Sequence, residues 1–415
     1  MPRATVIANE GWDALLYPNA TVPFVGKSVD PSTYVDRTLG SIERVPGEFG
    51  YEHYVPRPLP RHLELSVPTS RALSDADRAL GRLAGAGRLL PNPHLLVNPY
   101  IITEALASSQ IEGTQASLSE VLEAAADGEE SQDIDIREVQ NYIAAFEHAR
   151  ARLDDLPLSL RLLREAHAQL LRNVRGEEKT PGEFRSTQNW IGSPGRPLQE
   201  AIFVPPRHEP EMIDALQDWE AFLHERDSDL PPLVSCGLIH YQFETIHPFL
   251  DGNGRLGRLV IILYLIDIGE LPEPLLYLSP YFERDRDAYY TLLQAVRERG
   301  ELQEWLQYFL TGVAVQAKDA IDRAERLTDL QARYRAELAG DRSNASHLID
   351  PLFANPFITT QRVMRVLGVT NAGANNVLRR LEDRGWLRKV HVGGRGGRIT
   401  WVAQDIMDAL SPDNR

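Results

Sequence analysis

Only one cysteine, Cys236, occurs in the 415 residues, so the chain can form no internal disulfide and offers no cysteine cluster for zinc. Its apolar setting, LVSCGLIHY, points to a buried thiol rather than a reactive one. Long apolar runs are missing as well. The longest, Leu259 to Ile266, falls far short of the ~20 residues that span a bilayer. The opening MPRATVIANEGW lacks the apolar stretch of a signal peptide, so the expectation is a soluble, cytoplasmic protein with no membrane partner. Positive charge is scarce, with 44 Lys and Arg against 59 Asp and Glu and a net charge of -15. Spread evenly, such a charge repels nucleic acid, so any nucleic-acid role requires a local basic surface. One exists: residues 341–410 hold ten Lys/Arg and six Asp/Glu, near +4, which leaves the rest of the chain near -19.

What is present is enough apolar residue, 43%, to bury several cores, and a length that suits two or three domains. Residues 1 to about 65 are rich in Pro and Gly and read as irregular wrapping. From Ser74 the apolar residues recur at three and four, giving helices in DADRALGRLAGAGRLL and PYIITEALASSQIEGT with the breaker PNPH between them. DGEESQDID reads as a solvated acidic loop. REVQNYIAAFEHARARL, LPLSLRLLREAHAQLLRNV, MIDALQDWEAFLHE, PLVSCGLIHYQFETI, GRLGRLVIILYLIDIG, RDAYYTLLQAVRE and a long stretch from Leu302 to Leu338 continue the helical pattern. TPGEFRSTQNWIGSPGRPLQEAIFVPPR breaks it and reads as a loop with a short hairpin. The fold class is therefore mainly α. The divisions expected are an irregular and helical N-terminal region over 1–95, a helical core over 96–315, a linker helix over 316–342 and a C-terminal module over 343–410.

In that module ITTQRVMRVLG and VTNAGANNVLRRLEDRGW form two short helices, opened by threonines and separated by Gly368, and LRKVHV and RITWVA form strands around a glycine-rich tip. Helix, turn, helix and hairpin describe a winged helix-turn-helix. Asn371, Asn375, Asn376, Arg379 and Arg380 fall on or near its recognition helix, and Arg395 at the wing tip; these are the candidate DNA contacts. Protein contact is the competing reading of the module.

The stretch richest in chemistry is His247-Pro-Phe-Leu-Asp-Gly-Asn-Gly-Arg255-Leu-Gly-Arg258. It lies between two apolar helical runs, so its glycines make a tight turn opening onto the start of a buried helix. Gly252 and Gly254 let the backbone approach an oxyanion, and free amides with the helix dipole favour phosphate. Arg255 and Arg258, three apart, can clamp the same phosphates, while Asp251 offers a hard oxygen for Mg²⁺ or Mn²⁺. His247 can take a proton near neutral pH. Phe249 packs inward.

This loop matches the HPFx[DE]GNGRxxR signature and so resembles the Fic family, over roughly residues 60–410. The resemblance implies a Fic-type helical bundle with a short β-hairpin flap, plus the C-terminal winged helix-turn-helix. It implies transfer of AMP from ATP to a Ser, Thr or Tyr hydroxyl of a protein, which includes the enzyme itself. His247 is then the general base and Asp251 the metal ligand. Asn253 and the loop amides, with Gly252 and Gly254, cradle the α-phosphate, Arg255 contacts phosphate and Arg258 meets the γ-phosphate. Glycine at 254, where phosphorylating Doc-type relatives carry lysine, favours AMP transfer. PGEFRSTQNWIG with AIFVPP resembles the flap that clamps the target, with Trp190, Ile191 and Gly192 near the nucleotide, as is Tyr289 in RDAYYTLLQA. Ser108-Ser-Gln-Ile-Glu112-Gly113 fits the inhibitory pattern [ST]xxxE[GN] on a helix over about 100–113, so Glu112 is expected to pair with Arg258 and block the γ-phosphate. Removal of AMP, other nucleotide donors, a DNA-binding regulator with the core as nucleotide sensor, and a homodimer all stay open at this point.

Overall fold

The computed structural model describes residues 29–47, 50–89, 94–126, 131–192, 196–225, 229–339, 344–391 and 399–410. Its centre is a pair of helices, α7 (Pro232–Ile246) and α8 (Asn253–Asp267), joined by the His247 loop. Every residue of α7 from Leu233 to Ile246 is buried, as is every residue of α8 from Asn253 to Leu265. A helix apolar on all sides can only be an interior one, and the other helices wrap this pair. They are α1 (Val67–Leu89), α2 (His94–Ile111), α3 (Leu118–Ala125), α4 (Ile134–Arg152), α5 (Leu160–Leu170), α6 (Glu211–Leu223), α9 (Ser279–Arg284), α10 (Arg286–Arg299) and α11 (Leu302–Glu337). The fold is mainly helical, as the apolar period predicts.

Several boundaries differ from those read in the sequence. Helix α1 begins at Val67, before the clear apolar period. Helix α2 begins at His94 rather than Pro99, and the proline sits inside it at the loss of one backbone hydrogen bond. Asp133, inside the expected acidic loop, caps α4 by accepting from the Asp135 and Ile136 amides. The largest departure is an antiparallel hairpin, β1 (Gly40–Val45) and β2 (Tyr51–Pro56), where irregular wrapping was expected. Its short strands, flanked by Pro and Gly, are held by docking: the Tyr54 amide donates to Val204 O at 2.9 Å and the Tyr54 ring packs on Phe203. That pairing partner lies about 150 residues away in sequence, beyond the reach of local pattern. The expected flap hairpin around residues 181–207 is joined by one bridge, Ile191 to Phe203.

Past α11 come α12 (Ile349–Ala354), β3 (Phe357–Thr359), α13 (Thr360–Leu367), α14 (Asn371–Asp383), β4 (Arg388–His391), β5 (Ile399–Val402) and α15 (Gln404–Leu410). Thr359 and Thr370 cap α13 and α14 with their side chains, and Gly368 ends α13 in the left-handed conformation. The three strands pair antiparallel in the order β3-β5-β4. This module packs against the core, and Asn355 donates its side-chain amide to Leu122 O in α3, at 2.8 Å.

Helix α2 is seated by one buried carboxylate. Glu104 accepts from the Tyr142 hydroxyl at 3.1 Å on α4 and from the Ser279 amide and hydroxyl at 3.0 and 2.5 Å at the start of α9. Replacing it by alanine strands three buried donors, each costing about 1–3 kcal/mol. Glu104→Ala is therefore expected to lower unfolding stability by about 3 kcal/mol in urea titration, and Glu104→Gln by less.

Candidate active site

Two left-handed residues bracket the loop between α7 and α8. His247 ends α7 at φ 49, ψ 62, and Gly252 precedes α8 at φ 73. The first is unusual for a residue with a Cβ, and such a conformation persists only where the surroundings over-determine it. They do so through the flap segment. Arg185 donates from Nε to His247 O at 3.0 Å and from its amide to Pro248 O at 2.9 Å, and Asn189 Nδ2 donates to Phe249 O at 2.9 Å. From below, the His167 ring stacks on Phe249 at 3.8 Å. Its Nδ1 accepts from the Gly182 amide, which leaves Nε2–H to donate to Asp251 O at 2.9 Å.

Within this frame the sequence-predicted residues take definite places. The His247 ring is buried, and burial, then the cations Arg185 and Arg297, push its pKa down to about 3. It is neutral at pH 7, the form that can accept a proton. Asp251 Oδ1 accepts from the Gly252 amide at 2.5 Å and faces Arg255 Nη2 at 3.5 Å; burial raises its pKa despite those two. Its Oδ2 lies where Gly176 approaches so closely that a Cβ there would stand 2.8 Å away. One hard carboxylate beside a helix start suits Mg²⁺, which takes one or two carboxylates and fills its other positions with phosphate oxygens and water. No side chain caps α8. Asn253 braces the turn: Oδ1 accepts from the Phe249 amide at 2.8 Å and Nδ2 donates to Phe249 O at 2.9 Å.

Arg258 is 1% exposed. Its Nε donates to Ser108 Oγ at 2.9 Å, and Nη2 donates to Ser108 O at 2.8 Å and to Glu112 Oε1 at 2.7 Å. Burial opposes its charge, but Glu112, then Tyr289, Tyr290 and Glu244, outweigh it and keep the group protonated. Gly113 follows Glu112 with φ +104, which favours glycine. The Glu112 carboxylate also lies over Gly254, where a Cβ would meet Oε1 at 2.2 Å. Trp190 is buried in a small apolar cluster with Leu198, Ala201 and Val204, close to the Ile191 bridge and Gly192. Tyr289 belongs to the aromatic core, stacked on Phe282 at 4.6 Å, with its hydroxyl 2.8 Å from His240 Nε2. In the C-terminal module Asn375 is tied to Asn371 and Arg379 to Asn376, Arg380 is exposed, and Arg395 lies outside the described residues.

Sequence reasoning passed over Arg185, Asn189, His167, Glu138 and Glu244. The first two sit in FRSTQN, where an arginine and an asparagine in a Gly/Pro-rich loop were the available signal. Glu244 sits three residues before His247, packed so tightly that a Cβ at Gly257 would meet its Oε1 at 2.3 Å. Burial lifts its pKa to about 7, with Arg258 opposing and Glu112 reinforcing. A further group, Glu43, His53 and Glu211, brings ligand atoms within 4.8 Å of one another. Arg207 Nε donates to Glu211 Oε1 at 2.6 Å, and His53 Nε2 lies 2.9 Å from Glu211 Oε2, so Glu211 is already engaged by a cation.

Residues 157–265 match the Fic/DOC family model and residues 70–151 the Fic/DOC family N-terminal model, so this stretch carries Fic/DOC family domains. The chain is 30% identical over 154 residues to protein adenylyltransferase Fic of Drosophila grimshawi and, over the same length, of Drosophila virilis. Those matches take in 37% of this chain and 28% of each relative's length. Among solved structures, a Fic family protein from Desulfovibrio desulfuricans G20 superposes with a TM-score of 0.52 at 19% identity, over 83% of this chain and 98% of that one; the likeness is one of fold.

Glu244 gives a pH test. A carboxyl whose folded pKa is raised stabilises the fold fully below its unfolded value and loses that contribution as pH rises through about 7. Glu244→Gln mimics the protonated form. It should melt with the wild type below about pH 4 and above it at pH 8, by up to about 3 kcal/mol in stability.

Proposed function

We propose that this chain is a Fic-type protein adenylyltransferase that moves AMP from ATP to a Ser, Thr or Tyr hydroxyl of a protein and is held inactive by Glu112. The observation that carries the reading is the bond of Glu112 to Arg258 at 2.7 Å, at the end of the α8 turn that bears His247 and Asp251. An arginine that deep, next to helix-start amides and a second arginine, suits a phosphate chain. A carboxylate in its place blocks the terminal phosphate. The relatives named above support the transferase class.

In the reaction the hydroxyl oxygen attacks the α-phosphorus, a new O–P bond forms, the bond to the β-phosphate bridging oxygen breaks and pyrophosphate leaves. His247 takes the hydroxyl proton. Because burial leaves that imidazole weakly basic, its proton uptake has to accompany O–P bond formation rather than precede it. Arg255, Arg258 and the amides at the start of α8 hold the phosphates in line; Asp251 would hold a Mg²⁺ ion, which would supply charge neutralisation there. The flap between Trp190 and Val204 orients an extended target segment by main-chain pairing.

For the C-terminal module, the order helix, strand, helix, helix, strand, strand supports a winged helix-turn-helix. The exposed Asn376, Arg379 and Arg380 on α14 favour DNA phosphates as its ligand. Binding of duplex DNA by the full chain that weakens steeply with salt is the expected result, and salt-independent or absent binding removes this part.

With α-labelled ATP and cell extract, Glu112→Gly should transfer at least about tenfold more label to protein than the wild type, and His247→Ala none. Equal labelling by the wild type and Glu112→Gly would falsify the inhibitory role. Label retained by His247→Ala removes the general base, and preference for UTP, GTP or CTP over ATP changes the donor.

A further inference from the structure

The turn that carries Glu112 is fastened at a second place, away from Arg258. Helix α2 ends at Ile111, and beyond it the Glu112 and Thr114 amides both donate to Ser109 O, at 3.0 and 3.1 Å. A helix end is where backbone pairing opens first, so a carboxylate one residue past it stays in place only if the following chain is tied down.

Two consecutive residues supply that tie. Thr114, buried, donates its hydroxyl to Glu138 Oε2 at 2.6 Å, and the Gln115 amide donates to Asp135 Oδ2 at 3.1 Å. Both acceptors stand on the first turns of α4, and one guanidinium bridges them. Arg175 donates from Nε to Glu138 Oε1 at 2.8 Å, and from Nη2 to Glu138 Oε2 at 2.8 Å and to Asp135 Oδ1 at 2.6 Å. Burial would push Glu138 up, but the Arg175 bonds, Arg255 and Thr114 hold its pKa below the usual value, so it is a charged, buried acceptor. Taking Arg175 away leaves that charge facing Asp135 with its cation gone, which weakens the platform on which residues 114 and 115 rest.

Arg175 differs from the rest of the network in being reachable, at 53% side-chain exposure against 4% for Glu138. Its neighbour Gly176 is the residue pressed against Asp251 Oδ2. The loop that closes this network therefore also touches the carboxylate of the active-site turn.

We propose that Thr114, Asp135, Glu138 and Arg175 form a latch that keeps Glu112 on Arg258, with Arg175 as its accessible release point. The inference rests on the reading of Glu112 as the inhibitory residue. All four act through Glu112 as positioning residues, by the bonds they make to one another and to residues 114 and 115.

The test uses the full chain carrying Thr114→Val, Arg175→Ala or Arg175→Lys, each alone and combined with Glu112→Gly. Transfer from α-labelled ATP and calorimetric affinities for ATP and ADP are read, with melting temperatures alongside. Thr114→Val and Arg175→Ala should each raise transfer about tenfold and tighten ATP relative to ADP, because only ATP brings a terminal phosphate to the freed Arg258. Arg175→Lys should fall between Arg175→Ala and the wild type, and none should add to Glu112→Gly. Wild-type rates in both Thr114→Val and Arg175→Ala, beside an activated Glu112→Gly, overturn the latch and leave the inhibitor standing. So does a lowered melting temperature without faster transfer, or a gain on top of Glu112→Gly. If Glu112→Gly is no faster than the wild type, the inhibitory reading itself fails and the latch with it.

Discussion

A guanidinium taken out of water must have an anion beside it, and much of this molecule is arranged around that requirement at Arg258. The group sits on α8, one of two helices buried on every side, so water cannot solvate it. Coulomb attraction in such surroundings is strong enough to decide which partner occupies the site, and removal of a partner is expensive. In this structure the anion is Glu112, brought by a different helix and supported by Ser108. Any phosphate that is to reach Arg258 has to replace that carboxylate with charge of its own.

The same burial shapes the loop before α8. A left-handed His247 and a left-handed Gly252 turn the chain sharply between two interior helices, and the carbonyls freed by the turn are taken up by Arg185, Asn189 and Asn253. A side chain that pattern alone assigns to chemistry can thus also brace its own turn, as Asn253 does. Side chains that look structural can add to what burial does to the site, as Arg185 does by helping to hold His247 neutral.

Glu112 stands between two helices, and both have neighbours outside the central pair. Helix α2 is anchored upstream by Glu104, and α3 downstream is held by Asn355 from the C-terminal module. The segment between them is short, so a shift in either helix reaches Glu112 within a few residues. Packing of this kind makes the C-terminal module part of the surroundings of the segment that carries Glu112 rather than a separate appendage.

The amino-acid sequence by itself determined the helical class, the interior character of α7 and α8, the turn between them and the spacing of Ser108 and Glu112 on one helical face. Each of these follows from period, glycine placement or neighbours three and four apart, which are local properties. It also singled out Asp251, Arg255 and Arg258 as candidates for phosphate and metal chemistry. Only the tertiary structure decided that β1 and β2 pair and dock on the flap segment, that Asn253 braces its own turn, that Glu244 is buried against Gly257 within the field of Arg258, and that Thr114 and Arg175 meet on Glu138. The longer of these contacts join residues far apart in the chain, as Thr114 to Glu138 across 24 positions and Ser108 to Arg258 across 150 do, whereas Asn253 meets Phe249 only four residues away. Their energies come from burial and charge pairing, which depend on which surfaces meet and leave no periodic trace in either partner's own sequence.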